Sequence, residues 1–217
     1  MILLTGFQGY AGRSLNPAEA VVRALDGTDI GGMTVHGRVL PVDFHAVARD
    51  VPGMIDALAP KIVVSLGLWP GEPMIRLERV AANWAQFELP DAVGHRQVGP
   101  VVQGGADGYL SSLPHDAIQS ALRAQGIPCR QSGSAGTYLC NALSYIVLHH
   151  CAHHHPGTRA GFIHLPYLPV QVAQMLDDIA AEERLEQHQR ADYASMSLEP
   201  MIEAVKIALT IGAEGVA

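Results

Sequence analysis

The chain has 217 residues, 48% of them hydrophobic and 16% charged, the proportions of a globular protein and far from those of a disordered one. Against 21 acidic residues stand only 14 basic ones, for a formal net charge of -7. Nucleic-acid backbones require clustered Lys and Arg, so no nucleic-acid partner is expected. No apolar run is long enough to span a bilayer, and the first residues carry neither a basic lead nor a cleavage site, so no membrane partner and no secretory leader are expected.

Residues 1–5 are apolar and end at Gly6, the pattern of a buried strand. The glycine-rich loop that follows, with Gly6, Gly9 and Gly12 at three-residue spacing, is compatible with nicotinamide binding. Two features oppose that reading. Asn16-Pro17 is the better helix start, and no tyrosine has a lysine four residues on. A helix is predicted over residues 17–25, a strand over 33–42, and a helix over 44–58 that Pro52-Gly53 should break or kink. Residues 61–67 form the next buried strand, with Gly67 at its C-terminal end. Strands alternating with helices predict an α/β fold, a three-layer α/β/α sandwich around a twisted mixed sheet, as one domain spanning residues 1–217.

Residues 75–83 have the composition of one more strand, in which Glu78 shares a face with Arg76. That carboxylate is either half of an ion pair, with Arg76 or Arg79, or a functional group. An irregular excursion over residues 84–113 is expected to belong to the same domain, as a lid or an interface arm. Residues 114–125 should be a helix and 129–132 a short strand, leading to Ser132-Gly133-Ser134-Ala135-Gly136-Thr137-Tyr138-Leu139-Cys140-Asn141.

Small turn-forming residues here give way to Leu139, Leu143, Ile146 and Val147, the periodicity of a buried helix with Cys140 in its first turn. A thiol so placed meets unpaired backbone N–H groups and the positive end of the helix dipole, which favour the thiolate. Its bland alternative is a small hydrophobe in the core. The three cysteines, Cys129, Cys140 and Cys151, lack CxxC spacing, so no disulfide framework is expected and a cytoplasmic location is.

The same helix ends in His149-His150-Cys151-Ala152-His153-His154-His155. His149 with His153, and His150 with His154, stand one turn apart, but no third ligand is evident. Imidazoles also suit a helix C-terminus without any ion, so no metal and no cofactor are expected. His164 lies near the end of a strand over residues 161–169 that runs into prolines, where it is either a satisfied core residue or a group emerging at the edge of the sheet. Amphipathic helices are predicted over residues 170–190 and 197–211, the last with Ser197 as N-cap and Gly212 as stop.

Cys140, His164 and Glu78 together have the logic of a cysteine hydrolase. At this point the chain resembles the pyroglutamyl peptidase I, or pyrrolidone-carboxylate peptidase, family over almost its whole length. The resemblance rests on Ile2-Leu3-Leu4-Thr5-Gly6-Phe7 with Asn16-Pro17, on Glu78-Arg79-Val80-Ala81 with Asn83, and on Ser134-Ala135-Gly136-Thr137-Tyr138 with Cys140-Asn141. His164 with Pro166-Tyr167-Leu168-Pro169, and Ser195-Met196-Ser197-Leu198-Glu199, extend it. It implies Cys140 as nucleophile, His164 as general base and acid, and Glu78 as the group that orients His164. Peptides with an N-terminal pyroglutamate are the implied substrates and a homo-oligomer, often a tetramer, the implied assembly. By the same resemblance Phe7 and Tyr10 sandwich the lactam ring, Asn16 lies near its amide, and Leu89 and Leu139 complete the walls. Departures from the family pattern fall at Gly9-Tyr10-Ala11-Gly12, Leu68, Pro70-Gly71-Glu72, Glu88 and Asp91-Ala92, around the implied pocket, which leaves room for an altered substrate preference.

Overall fold

The computed structural model describes residues 1–10, 15–182 and 193–215. Strand β1 (Ile2–Phe7) turns Ile2 and Leu4 into one apolar cluster and Leu3 and Phe7 into another. A strand buried on both faces needs helices on both sides. Helix α1 (Pro17–Leu25) begins as its sequence requires: Asn16 Oδ1 accepts from the Ala18 N–H at 2.9 Å, with Pro17 in the first turn. A two-residue edge strand, β2 (Asp29–Ile30), precedes β3 (Met33–Leu40).

Helix α2 (Phe44–Leu58) runs unbroken through Pro52, so of the expected break or kink no break occurs. The proline forgoes one helical hydrogen bond, but Val47, Val51 and Ile55 bury a common stripe on either side of it, and that packing carries the helix through. Strand β4 (Ile62–Leu68) follows. Residues 75–83 then form two strands instead of one, β5 (Ile75–Glu78) in the main sheet and β6 (Val80–Ala82) outside it. Arg79 is the pivot: its N–H donates to the Ser132 carbonyl at 2.8 Å and its own carbonyl accepts from the Ser111 N–H at 2.8 Å.

The excursion contains β7 (Ala85–Gln86), β8 (Val98–Gly99) and β9 (Gly108–Leu110), with β6 pairing β9 and β7 pairing β8. Buried side chains fasten it. Asp91 accepts from the backbone N–H groups of Phe44, Val93 and His95, bonds that hold its carboxyl below the usual range although burial pushes the other way. Asn141 spans to Ala82 and Trp84 through three hydrogen bonds of 2.9–3.0 Å.

Helix α3 (His115–Ala124), β10 (Cys129–Ser132), α4 (Leu139–His154) and β11 (Arg159–Leu165) complete the scaffold with α5 (Pro169–Glu182) and α6 (Leu198–Ala213). The predicted continuation of α5 to residue 190 lies outside the described residues. Gly212 does not stop α6 but lies within it, where a side-chain carbon would stand 3.7 Å from Ile62.

The sheet has seven strands in the order β10-β5-β11-β4-β1-β3-β2. It is mixed: β11, β4, β1 and β3 run parallel, while β5 is antiparallel to β11 and β2 to β3. Helices α1, α3 and α6 pack together on one face, α2 and α4 on the other, which makes the three-layer α/β/α arrangement. Among the described residues no helix is long and apolar enough to cross a membrane.

Candidate active site

Three strands and one helix deliver the site. On the face of the sheet that packs against α4, β11 presents Phe162 and His164 and the antiparallel β5 presents Arg76 and Glu78, in the register Phe162↔Glu78 and His164↔Arg76. The period of two that puts these four on one face sends Ile163 and Leu77 to the opposite cluster. His164 Nδ1 lies 2.8 Å from Glu78 Oε1, both residues being 1% exposed. A carboxylate only accepts, so the proton of this contact sits on Nδ1 and Nε2 carries the free lone pair.

Arg76 completes the support. Its Nε donates to Glu78 Oε1 at 2.5 Å, a second nitrogen to the Ser134 carbonyl at 2.5 Å, and a third reaches Glu72 at 3.4 Å. Its guanidinium also covers the Trp69 ring at 3.7 Å, and that ring meets His164 edge-on at 5.0 Å. Glu72 in turn takes two hydrogen bonds from Arg130, at 3.0 and 2.6 Å. Burial acts against the Glu72 carboxylate, and the Arg130 and Arg76 charges overcome it, holding its pKa below the ordinary value. The ion-pair and functional readings of Glu78 are therefore not alternatives. One oxygen serves Arg76 and His164 together, and Arg76 ties the carboxylate to the loop before α4. Spacing alone brought Arg76 beside Glu78; Trp69, Glu72 and Arg130 had no signal as partners.

Cys140 is half-buried in the first turn of α4, whose N-cap residue, Tyr138, makes no side-chain capping bond. The amide of Cys140 has no intrahelical acceptor, as for any residue of a first turn. Gly67 locates the sulfur: a side-chain carbon there would lie 2.8 Å from Cys140 Sγ and 2.9 Å from Phe162 Cζ. Gly67 is also the register partner of His164 in the parallel β4–β11 ladder. Sulfur and imidazole thus stand over neighbouring positions of adjacent strands, about 5 Å apart in backbone terms. We expect Gly67→Ala to displace the thiol. An added methyl overpacks by about 1–3 kcal/mol, and a shift of about 1 Å at a reacting atom costs about 100-fold in kcat. Turnover measured beside the unfolding midpoint separates the two effects.

Burial works against the activation that the helix position of the thiol suggests. Desolvation, and then the Glu78 charge, push Cys140 up to about 12. Desolvation also depresses His164, against the raising influence of Glu78. With the thiol pushed up and the imidazole pushed down, a sulfur in this setting can act as a nucleophile by passing its proton to the free lone pair of His164 Nε2.

Cys140 opens into a cavity of about 430 Å³ whose walls include Phe7, Tyr10, Asn16, Leu89 and Leu139, all five of the residues implied by resemblance, together with Gln8, Leu15, Val42, Leu68, Pro70, Tyr138 and Tyr167. Tyr10 and Tyr138 both donate to the Pro90 carbonyl, which fixes one wall to the excursion. Asn16 is partly committed, since it caps α1 and donates to the Gln8 carbonyl at 3.1 Å. Gly6, offered by sequence as a phosphate-loop glycine, lies inside β1, where a side-chain carbon would stand 2.8 Å from the Ala18 carbonyl oxygen. Close packing of α1 explains it. Gly12 lies outside the described residues.

A histidine held by a carboxylate and set beside a cysteine defines a class, the thiol hydrolases in which the base shares the sulfur's proton. A family model described as pyroglutamyl peptidase matches residues 1–214, and the chain belongs to that family. It is 37% identical to the pyrrolidone-carboxylate peptidase of Pyrococcus furiosus over 214 residues, 98% of each chain. With that of Chromobacterium violaceum it shares 41% identity over 192 residues, 85% of this chain and 89% of the relative. The fold superposes on the solved pyrrolidone carboxyl peptidase of P. furiosus with a TM-score of 0.90 at 35% identity, covering 100% of this chain and 99% of the other. For that of Thermococcus litoralis the TM-score is 0.89 at 34% identity, covering 98% and 93%. Neither nicotinamide binding nor an altered substrate class is favoured by this kinship.

Proposed function

We propose that the chain is a cysteine exopeptidase that removes N-terminal pyroglutamyl residues from peptides, with Cys140 as nucleophile, His164 as base and then acid, and Glu78 as the orienting carboxylate. Sγ bonds to the pyroglutamyl carbonyl carbon while its proton passes to His164 Nε2. The C–N bond breaks as that proton goes to the leaving amine. Water, deprotonated by His164, then attacks the thioester, and the released sulfur recovers the proton. The first-turn amide of Cys140 serves as an oxyanion donor in this reading.

The observation that carries this reading is the cavity. A lactam has no charged amine, and a pocket walled by Phe7, Tyr10, Leu89 and Leu139 with few polar groups suits it. One Nδ2 hydrogen of Asn16 remains for its amide oxygen. Release of a fluorophore from a pyroglutamyl amide under reducing conditions is expected, with prolyl and alanyl amides at background. Absence of pyroglutamyl turnover sinks the assignment. A reducing, cytoplasmic setting and homo-oligomeric assembly, a tetramer by resemblance, go with the reading, and sedimentation of the purified protein checks the latter.

The residue after pyroglutamate has a place as well. A second cavity of about 440 Å³ adjoins the first through Tyr10, Leu89 and Tyr138 and adds Trp69, Gln86, Glu88 and Thr137. Trp69 abuts His164, which sets this cavity beside the proposed base. Glu88 is exposed there, and Arg96 donates to its backbone carbonyl. A solvent-screened pair with this carboxylate is worth about 0.3–1 kcal/mol. Peptides with Lys or Arg next are expected to exceed those with Asp about two- to fivefold in kcat/KM, and Glu88→Lys should reverse the order.

A further inference from the structure

The last turns of α4 and its C-cap residue, His155, hold five histidines that the peptidase reaction does not use. His149 and His153 are engaged with their surroundings, His149 Nδ1 with the Tyr109 hydroxyl at 3.0 Å and His153 Nδ1 with the His149 carbonyl at 2.8 Å. His150 and His155 behave differently. Each turns Nε2 toward the same oxygen, Asp56 Oδ1 of α2, at 2.7 and 2.8 Å. The three donor atoms all lie within 4.8 Å of one another. The third ligand that the histidine spacing lacked comes from 94 positions away.

We propose that Asp56, His150 and His155 bind a borderline divalent transition ion of the Zn²⁺ type, linking α2 to α4. Two imidazoles and one carboxylate suit such an ion, whereas Ca²⁺ and Mg²⁺ require mainly oxygen donors. Ligand atoms around a tetrahedral zinc stand about 3.3 Å apart for bonds of 2.0–2.1 Å. The pairs here are shorter, so Asp56 must swing outward by about 0.5 Å on binding. Its side chain is 57% exposed, against 13% for His150 and 21% for His155, so the mobile ligand is the one facing solvent. Water completes the coordination. Because α2 and α4 pack on the face of the sheet that carries Cys140, the ion fastens the far end of the nucleophile's helix.

The test uses the full chain without a histidine tag and with Cys140→Ala, which removes the cleft thiol as a rival ligand. Calorimetric titration with Zn²⁺ should show one equivalent bound, and the unfolding midpoint should rise by about 5 °C or more at a hundredfold excess over Kd. Mg²⁺ should do neither. Asp56→Ala and His155→Ala, added singly, should abolish both effects, while the double change His149→Ala with His153→Ala should leave them. No Zn²⁺ binding, binding that survives Asp56→Ala and His155→Ala, or binding lost with His149 and His153 overturns the site.

Discussion

Cys140→Ala should reduce turnover of a pyroglutamyl amide by about 10⁴-fold or more, to the background rate, with little change in unfolding midpoint. The size follows from the removal of the attacking atom: what remains is a cavity and an oxyanion donor without a nucleophile, and knockouts of this kind cost about 10⁴ to 10⁶. Stability should hold because the side chain is half-buried at the edge of a cavity, packed against one apolar cluster without belonging to its buried core. Binding of pyroglutamyl amide, read as a rise in midpoint, should persist. Since burial pushes the thiol up to about 12, alkylation of wild-type Cys140 by iodoacetamide should depend on the neighbouring base and slow sharply in His164→Asn. Residual turnover in Cys140→Ala above one per cent assigns the chemistry to another group.

Glu78→Gln should cost about 10³- to 10⁴-fold in kcat, because the amide can still hold the Nδ1 proton in place but no longer stabilises the imidazolium that forms during attack. It also leaves the Arg76 charge, 9% exposed, with the distant Glu72 oxygen at 3.4 Å as its remaining carboxylate partner. A fall in stability toward the lower end of about 3–5 kcal/mol is therefore expected. A pH profile separates electrostatics from structural damage. With neutral His164 as the proposed base, kcat/KM is expected to fall as pH drops through the folded-state pKa of that residue. Desolvation sets this value below the ordinary 6.5; Glu78 raises it and Arg76 lowers it. Glu78→Gln should thus move the acid limb to lower pH and Arg76→Leu to higher pH. Two damaged proteins with limbs displaced the same way would leave the network without this role.

The elements that could be read from sequence are those whose signals are local. Strands β1, β4, β10 and β11 announce themselves by unbroken apolar runs or short β-rich stretches between turn residues, and Asn16-Pro17 marks the start of α1 by cap chemistry alone. Cys140 was found the same way, from an abrupt change of small residues to a helical period. The split of residues 75–83 was not legible, because Arg79 leaves the sheet only when Ser132 and Ser111, both distant in sequence, take up its backbone groups. Pro52 does not break α2 for a similar reason: a local rule against the helix yielded to side chains packed across the layer.

Order along the chain therefore determined the α/β class, most of the main strands and helices and three chemically apt residues, since the signal for each lies in neighbours within a turn or two. Tertiary structure alone decided that Arg76 serves Glu78 and the loop before α4 at once, that burial pushes the Cys140 thiol up, and that Asp56 meets His150 and His155. Those outcomes rest on desolvation and on charges brought together across many intervening residues, quantities that no window of sequence contains.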